Sequence, residues 1–99
     1  MSKEYLAMYW EHTYEKEPRI LLYEVDLEED RYATRMIEVY ANGQVDCIED
    51  KSFRFITEAP VPSIEEINAD EYGREFHANL ITKEEFGQTW DTLVYYSTK

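Results

Sequence analysis

Negative charge constrains this chain more than any other feature. Its 99 residues carry 22 Asp and Glu against 10 Lys and Arg, a formal net charge of −12. Crowding that much negative charge onto one small fold is unfavourable. Self-repulsion destabilises the compact state, and the same field favours encounter with a positive partner. The excess is also larger than solubility needs, since a magnitude of about 2–8 suffices for a small domain. Its densest stretch runs from Glu24 to Asp30, where Glu24, Asp26, Glu28, Glu29 and Asp30 are acidic. That run reads as a docking surface for a basic groove. The plain alternative is a solvated loop.

The apolar content rules out an acidic disordered tail. Hydrophobic residues make up 43% and aromatic ones 15%, with nine tyrosines, four phenylalanines and two tryptophans. Such a chain can bury one modest core, so residues 1–99 are expected to form a single domain. No apolar run approaches the roughly 20 residues of a membrane span, and the first residues, Met1-Ser2-Lys3-Glu4, lack a signal peptide's apolar stretch. The lone cysteine, Cys47, leaves no intramolecular disulfide. A cytoplasmic protein is expected on these grounds. The charge argues against direct binding to nucleic acid or to an anionic membrane.

The first half has the alternation of strands. Leu6, Met8 and Trp10 alternate with Tyr5, Ala7 and Tyr9, and His12 continues the Trp10 face. A turn near Pro18 leads to a second alternating stretch over 21–26. Residues 31–50 read as a hairpin about Asn42-Gly43. A three-residue loop, Ala41-Asn42-Gly43, sets Val39 opposite Val45 and Ile37 opposite Cys47, which gathers the apolar residues on one face. Gly43 is then left-handed, and Glu38, Tyr40, Gln44 and Asp46 lie on the outer face. Further strands are expected at Phe53–Thr57 and over 74–81. Two capping boxes, Ser63-x-x-Glu66 and Thr82-x-x-Glu85, open a short helix at 63–70 and a C-terminal helix at 82–95. Phe86, Trp90, Leu93 and Val94 form the apolar stripe of the second helix, which Gly87 either weakens or packs closely. The expected fold is α+β: an antiparallel sheet of about five strands with the C-terminal helix packed on one face.

The chain resembles a small bacterial family of unassigned function. The resemblance rests on Trp10-Glu11-His12, on Leu21-Leu22-Tyr23-Glu24, on Arg31-Tyr32 with Arg35, and on Ile37-Glu38-Val39-Tyr40 before the glycine turn. It continues through Pro60-Val61-Pro62-Ser63-Ile64-Glu65-Glu66-Ile67-Asn68-Ala69-Asp70 and closes on Lys83-Glu84-Glu85-Phe86 with Trp90. The family's usual proline after Asn-Ala-Asp is Glu71 here. The resemblance implies one intact domain and no assigned activity; the family looks like small proteins near toxin and mobile-element genes.

Candidate sites follow from chemistry. Trp10 and His12 share a face, which suits a ligand or polar site, or a histidine that braces a strand end. His12, His77 and carboxylates lack metal-ligand spacing, so neither a metal nor a cofactor is expected. Asn68-Ala69-Asp70 reads as a turn closure through side-chain bonds to backbone. No two of Glu65, Glu66 and Asp70 stand out as an acid–base pair. Arg31 and Arg35 are placed to neutralise Glu24, Asp26 or Glu38 across strands. Cys47 falls on the core face with no electropositive neighbourhood, which argues against a nucleophile.

The leading expectation is therefore a small acidic protein-binding module, an immunity-type inhibitor that occludes a basic partner such as a nuclease toxin. Glu24, Asp26, Glu28, Glu29 and Asp30 supply steering, with Tyr40 among the aromatic anchors. The alternative is an enzyme or small-ligand domain using His12 and neighbouring carboxylates. The outer sheet face around Tyr40 also offers a homodimer surface if nothing covers it.

Overall fold

Period-two alternation in the first half of the chain becomes a meander of four strands, and a fifth strand joins its start. A computed structural model describes residues 2–28, 30–49 and 60–95. In chain order it contains β1 (Lys3–Trp10), β2 (Ile20–Asp26), β3 (Tyr32–Val39), β4 (Val45–Glu49), α1 (Ile64–Asn68), β5 (Phe76–Leu80) and α2 (Lys83–Thr92). The strands form one antiparallel sheet in the order β4-β3-β2-β1-β5. The α+β expectation holds. The strand expected at Phe53–Thr57 lies outside the described residues.

The hairpin register is the expected one: Val39 faces Val45 and Ile37 faces Cys47. Gly43 sits at φ +91°, a conformation that L side chains rarely adopt. The Asn42 side chain accepts the Gln44 N–H at 2.9 Å and tightens the turn.

Both sheet faces are covered, by different helices. On one face Tyr5, Ala7, Leu22, Ile37, Val39 and Val45 are buried together with Phe86 of α2. On the other, Leu6, Tyr23, Val25 and Ala33 are buried with Val61, and Ile64 of α1 packs against them. Hence the strand sets Tyr5/Ala7 and Leu6/Met8 both point into packed surroundings. The covering by Val61 and Ile64 closes the middle of the face that the sequence left open. Fully burying a side chain such as Leu6, Leu22, Ile37 or Phe86 contributes about 1.5–3 kcal/mol.

Both capping boxes form. Ser63 Oγ accepts the Glu66 N–H at 3.2 Å while the Glu66 carboxylate accepts the Ser63 N–H at 3.1 Å. Thr82 and Glu85 make the same pair of bonds at 3.0 Å each. The second helix is shorter than its stripe suggests. Leu93 turns left-handed at φ 59°, ending α2 at Thr92, and the Thr92 hydroxyl accepts the Val94 N–H at 3.3 Å. Phe86 and Trp90 therefore pack on the sheet, whereas Leu93 and Val94 are exposed.

Asn68 closes the outer edge of β5. Its amide N–H donates to the Ala78 carbonyl and its carbonyl accepts the Ala78 N–H, both at 2.8 Å. An exposed edge is a template for pairing with other chains, and this side chain occupies it as a strand residue would. The bond to β5, rather than a local turn, is what Asn68 supplies.

Two stability changes follow. Asn68→Ala is expected to cost about 1–2 kcal/mol in urea unfolding and to speed hydrogen exchange at the Ala78 amide. Gly87 has open space where a Cβ would stand, so Gly87→Ala is expected to stabilise the protein by about 0.5–1 kcal/mol through helix propensity. A loss of stability in Gly87→Ala would show instead that this position is closely packed.

Candidate functional site

The register separates the sequence-predicted residues into two ends of the sheet. Lys3 of β1 faces Asp26 of β2, so the acidic turn after Asp26 stands at the end where β1 begins. Trp10 closes β1 at the opposite end, beside the loop over 11–19 and the hairpin that follows Val39. Tyr40 thus stands far from the acidic run with which it was grouped.

Within that run the carboxylates do different work. Glu24 is buried, with 8% of its surface exposed. Its Oε1 accepts from Arg35 Nε at 3.0 Å and from Thr34 Oγ1 at 2.7 Å; its Oε2 accepts from Arg35 Nη2 at 2.7 Å and from the Tyr5 hydroxyl at 2.9 Å. A β-bulge makes this set possible. Glu24 faces Arg35 and Val25 faces Ala33, so Thr34 is the extra residue and its hydroxyl reaches the carboxylate. The Arg35 guanidinium lies over the Phe86 ring at 5.0 Å and the Trp90 ring at 4.7 Å. Burial alone would raise the Glu24 pKa. The hydrogen bonds from Arg35, Thr34 and Tyr5, with the Arg35 charge, outweigh it and hold the group down to about 2. A carboxylate so engaged is a strut of the core and has no capacity left for a partner.

Asp26 is paired with Lys3 Nζ at 3.5 Å and accepts the Glu28 N–H at 2.9 Å. Glu28 and Asp30 are exposed in the β2–β3 turn, and Glu29 lies outside the described residues. Arg31 does not join them. It bonds Glu4 at 2.8 Å and the Val61 carbonyl at 2.9 Å, which clamps the segment entering α1 onto the sheet.

The Trp10 end is aromatic as well as acidic. Trp10 and Phe76 are partners across β1 and β5, with ring centroids 5.8 Å apart and planes at 19°. His12 lies 4.1 Å from the Trp10 ring, and Tyr14 stacks on His12 at 5.2 Å. Tyr14 is 62% exposed. These rings line a recess of about 580 Å³ whose rim carries Glu11 and Glu75. A neighbouring recess of about 520 Å³ shares Trp10 and Tyr14 and adds Glu15, Lys16 and Glu17. A third, of about 490 Å³, joins Glu15, Lys16 and Arg19 to Tyr40 and Asn42. Tyr40 therefore belongs to this end, with its hydroxyl on Glu38 at 3.3 Å.

His12 braces the loop. Its Nε2 meets the Pro18 carbonyl at 2.7 Å and its Nδ1 the Tyr14 N–H at 3.0 Å. Those partners fit a neutral ring that donates from Nε2 and accepts at Nδ1. Both ring nitrogens are engaged by backbone groups of the loop. His77 Nε2 lies 3.7 Å from Glu11 Oε1, an ion pair only when His77 is protonated. Among the described residues, no group of three or more His, Cys, Asp or Glu side chains is placed to hold a metal ion. Cys47 is half-buried with its thiol toward the Trp90 carbonyl, and burial pushes its pKa up, away from a nucleophilic thiolate. Glu66 is occupied by its capping box, while Glu65 and Asp70 are exposed.

Sequence reasoning found Trp10 and His12 but not their neighbours Tyr14, Phe76, Glu11 and Glu75. The spacing Trp10-x-His12-x-Tyr14 was a usable signal. The approach of Phe76 and Glu75 depends on β5 pairing with β1, a contact between distant segments.

The fold and this site define a small α+β domain with an acidic, aromatic end. The chain belongs to the family described as "Domain of unknown function (DUF6881)", whose model matches residues 4–95. No curated protein and no solved structure matches it. Among the described residues, no helix is long and apolar enough to cross a membrane.

The Glu24 network predicts an acid limb in stability. Its folded-state pKa is depressed from 4.5 to about 2, so its contribution is present above about pH 4.5 and is lost as pH falls through about 2. The loss is on the order of 3 kcal/mol. Glu24→Gln should lower stability at pH 7 and flatten that limb in chemical unfolding followed from pH 2 to 7. An unchanged acid limb in this variant would remove Glu24 as its source.

Proposed function

We propose that this chain is a protein-binding module that engages a basic partner through the Trp10 end of its sheet. The observation that carries the reading is the meeting there of the exposed Tyr14 ring and the half-buried Trp10 and Phe76 rings with the carboxylates Glu11, Glu15, Glu17 and Glu75. Tyr and Trp anchors of this kind supply binding energy once desolvated. Carboxylates around them supply complementarity and association rate. The net charge of −12 extends that field over the whole molecule, with Glu28 and Asp30 adding to it from the far turn. In its specific form the module is an immunity-type inhibitor, cytoplasmic and small, that occludes the nucleic-acid cleft of a basic nuclease toxin. The resemblance to small bacterial proteins near toxin genes points the same way. The two backbone bonds of His12 weigh against the enzyme reading.

The test is association with a basic nuclease as candidate partner, followed by stopped flow from about 0.05 to 0.5 M salt, where the Debye length falls severalfold. The association rate is expected to drop at least about tenfold across that range, with nuclease activity lost on binding. Absence of binding at low salt, or binding indifferent to salt, contradicts the reading.

A further inference from the structure

Resting on the reading of the Trp10 end as a partner site, we propose that the recess between Trp10, Tyr14 and Phe76, the largest of the three described there, is an arginine pocket. It takes the guanidinium of one arginine side chain from the partner protein.

The three recesses at this end differ in charge. Lys16 lines the second, and Lys16 and Arg19 line the third, so each already contains a cation of this chain. The first is lined by the Trp10, Phe76, Tyr14 and His12 rings with Glu11 and Glu75, and no lysine or arginine lines it. The two residues are tied through their backbones, the Glu11 N–H donating to the Glu75 carbonyl at 2.8 Å, and both line the recess. His12, bound by backbone as a neutral ring, adds a flat wall without a competing charge.

The shape of the site selects the cation. A guanidinium is planar and weakly hydrated, stacks on aromatic faces, and presents a fork that suits carboxylates. An ammonium is compact and strongly hydrated and gains less from a ring wall open to solvent. The near-parallel Trp10 and Phe76 rings and the exposed Tyr14 ring offer flat faces, and Glu11 and Glu75 offer the acceptors.

The chain has two tryptophans, so a ¹⁵N-labelled sample gives two indole N–H signals, which Trp10→Phe assigns. Trp90, beneath Arg35, is the internal control. The probes are the capped tripeptide Gly-Arg-Gly and its lysine and citrulline counterparts. A saturable shift of the Trp10 signal is expected with the arginine peptide, about threefold weaker binding with lysine, and no response to citrulline. Tyr14→Ser and Glu75→Gln, both at exposed positions, are each expected to weaken the arginine peptide about two- to fivefold. No shift at Trp10, or equal responses to arginine and lysine or citrulline, overturns the arginine pocket. If salt-dependent partner binding persists beside a silent Trp10 signal, the pocket falls and the protein-binding reading stands. If the arginine response is present but no basic protein binds, the pocket stands and that reading falls.

Discussion

The pairing of the buried Glu24 with the half-buried Arg35 is the interaction on which the arrangement of this molecule depends. Glu24 is 8% exposed and its carboxylate accepts from Arg35, Thr34 and Tyr5. Those donors come from β1 and β3, so one side chain ties the three central strands together. The guanidinium in turn lies against Phe86 and Trp90 and extends the tie to α2. A buried ion pair is weak grounds for claiming extra stability over an apolar replacement, but removal of one partner leaves a buried charge uncompensated. Its role here is to fix geometry: the bulge at Thr34, the register of β2 on β3, and the seat of the C-terminal helix.

That geometry determines where charge is available for binding. The densest acidic stretch in the sequence contributes one strut, one residue paired with Lys3, and exposed residues at a turn. The opposite end of the sheet gathers carboxylates that are scattered in the sequence, with Glu11, Glu15 and Glu17 from one loop and Glu75 from the approach to β5. Local density along the chain and density on the surface are separate quantities, because a sheet sends neighbouring residues to opposite faces and brings distant ones together.

Much of the fold was legible because its signals are local. Alternation marked β1 and β2, Asn42-Gly43 marked the β3–β4 hairpin, the pairing of Val39 with Val45 followed from where apolar residues must lie, and both capping boxes formed at the expected residues. Non-local features were hidden. No pattern in the sequence shows that Asn68 will occupy the β5 edge, that Thr34 will be the bulged residue, or that α1 and α2 will cover opposite faces. The left-handed Leu93 also defeated a good apolar stripe, since a stripe says which face is apolar and not where the helix stops. For the site, Trp10 and His12 were visible as a pair, yet the bracing role of His12 became clear only from its Pro18 and Tyr14 partners.

The proposed site would bring a basic partner to the Trp10 end of the sheet and not to the acidic turn. Hydrogen–deuterium exchange of the chain alone and in its complex with such a partner tests this most directly. New protection is expected over residues 10–17 and 74–77, with exchange in the 26–28 and 30–31 stretches unchanged. Protection confined to that turn, with the Trp10 loop unaffected, would contradict it.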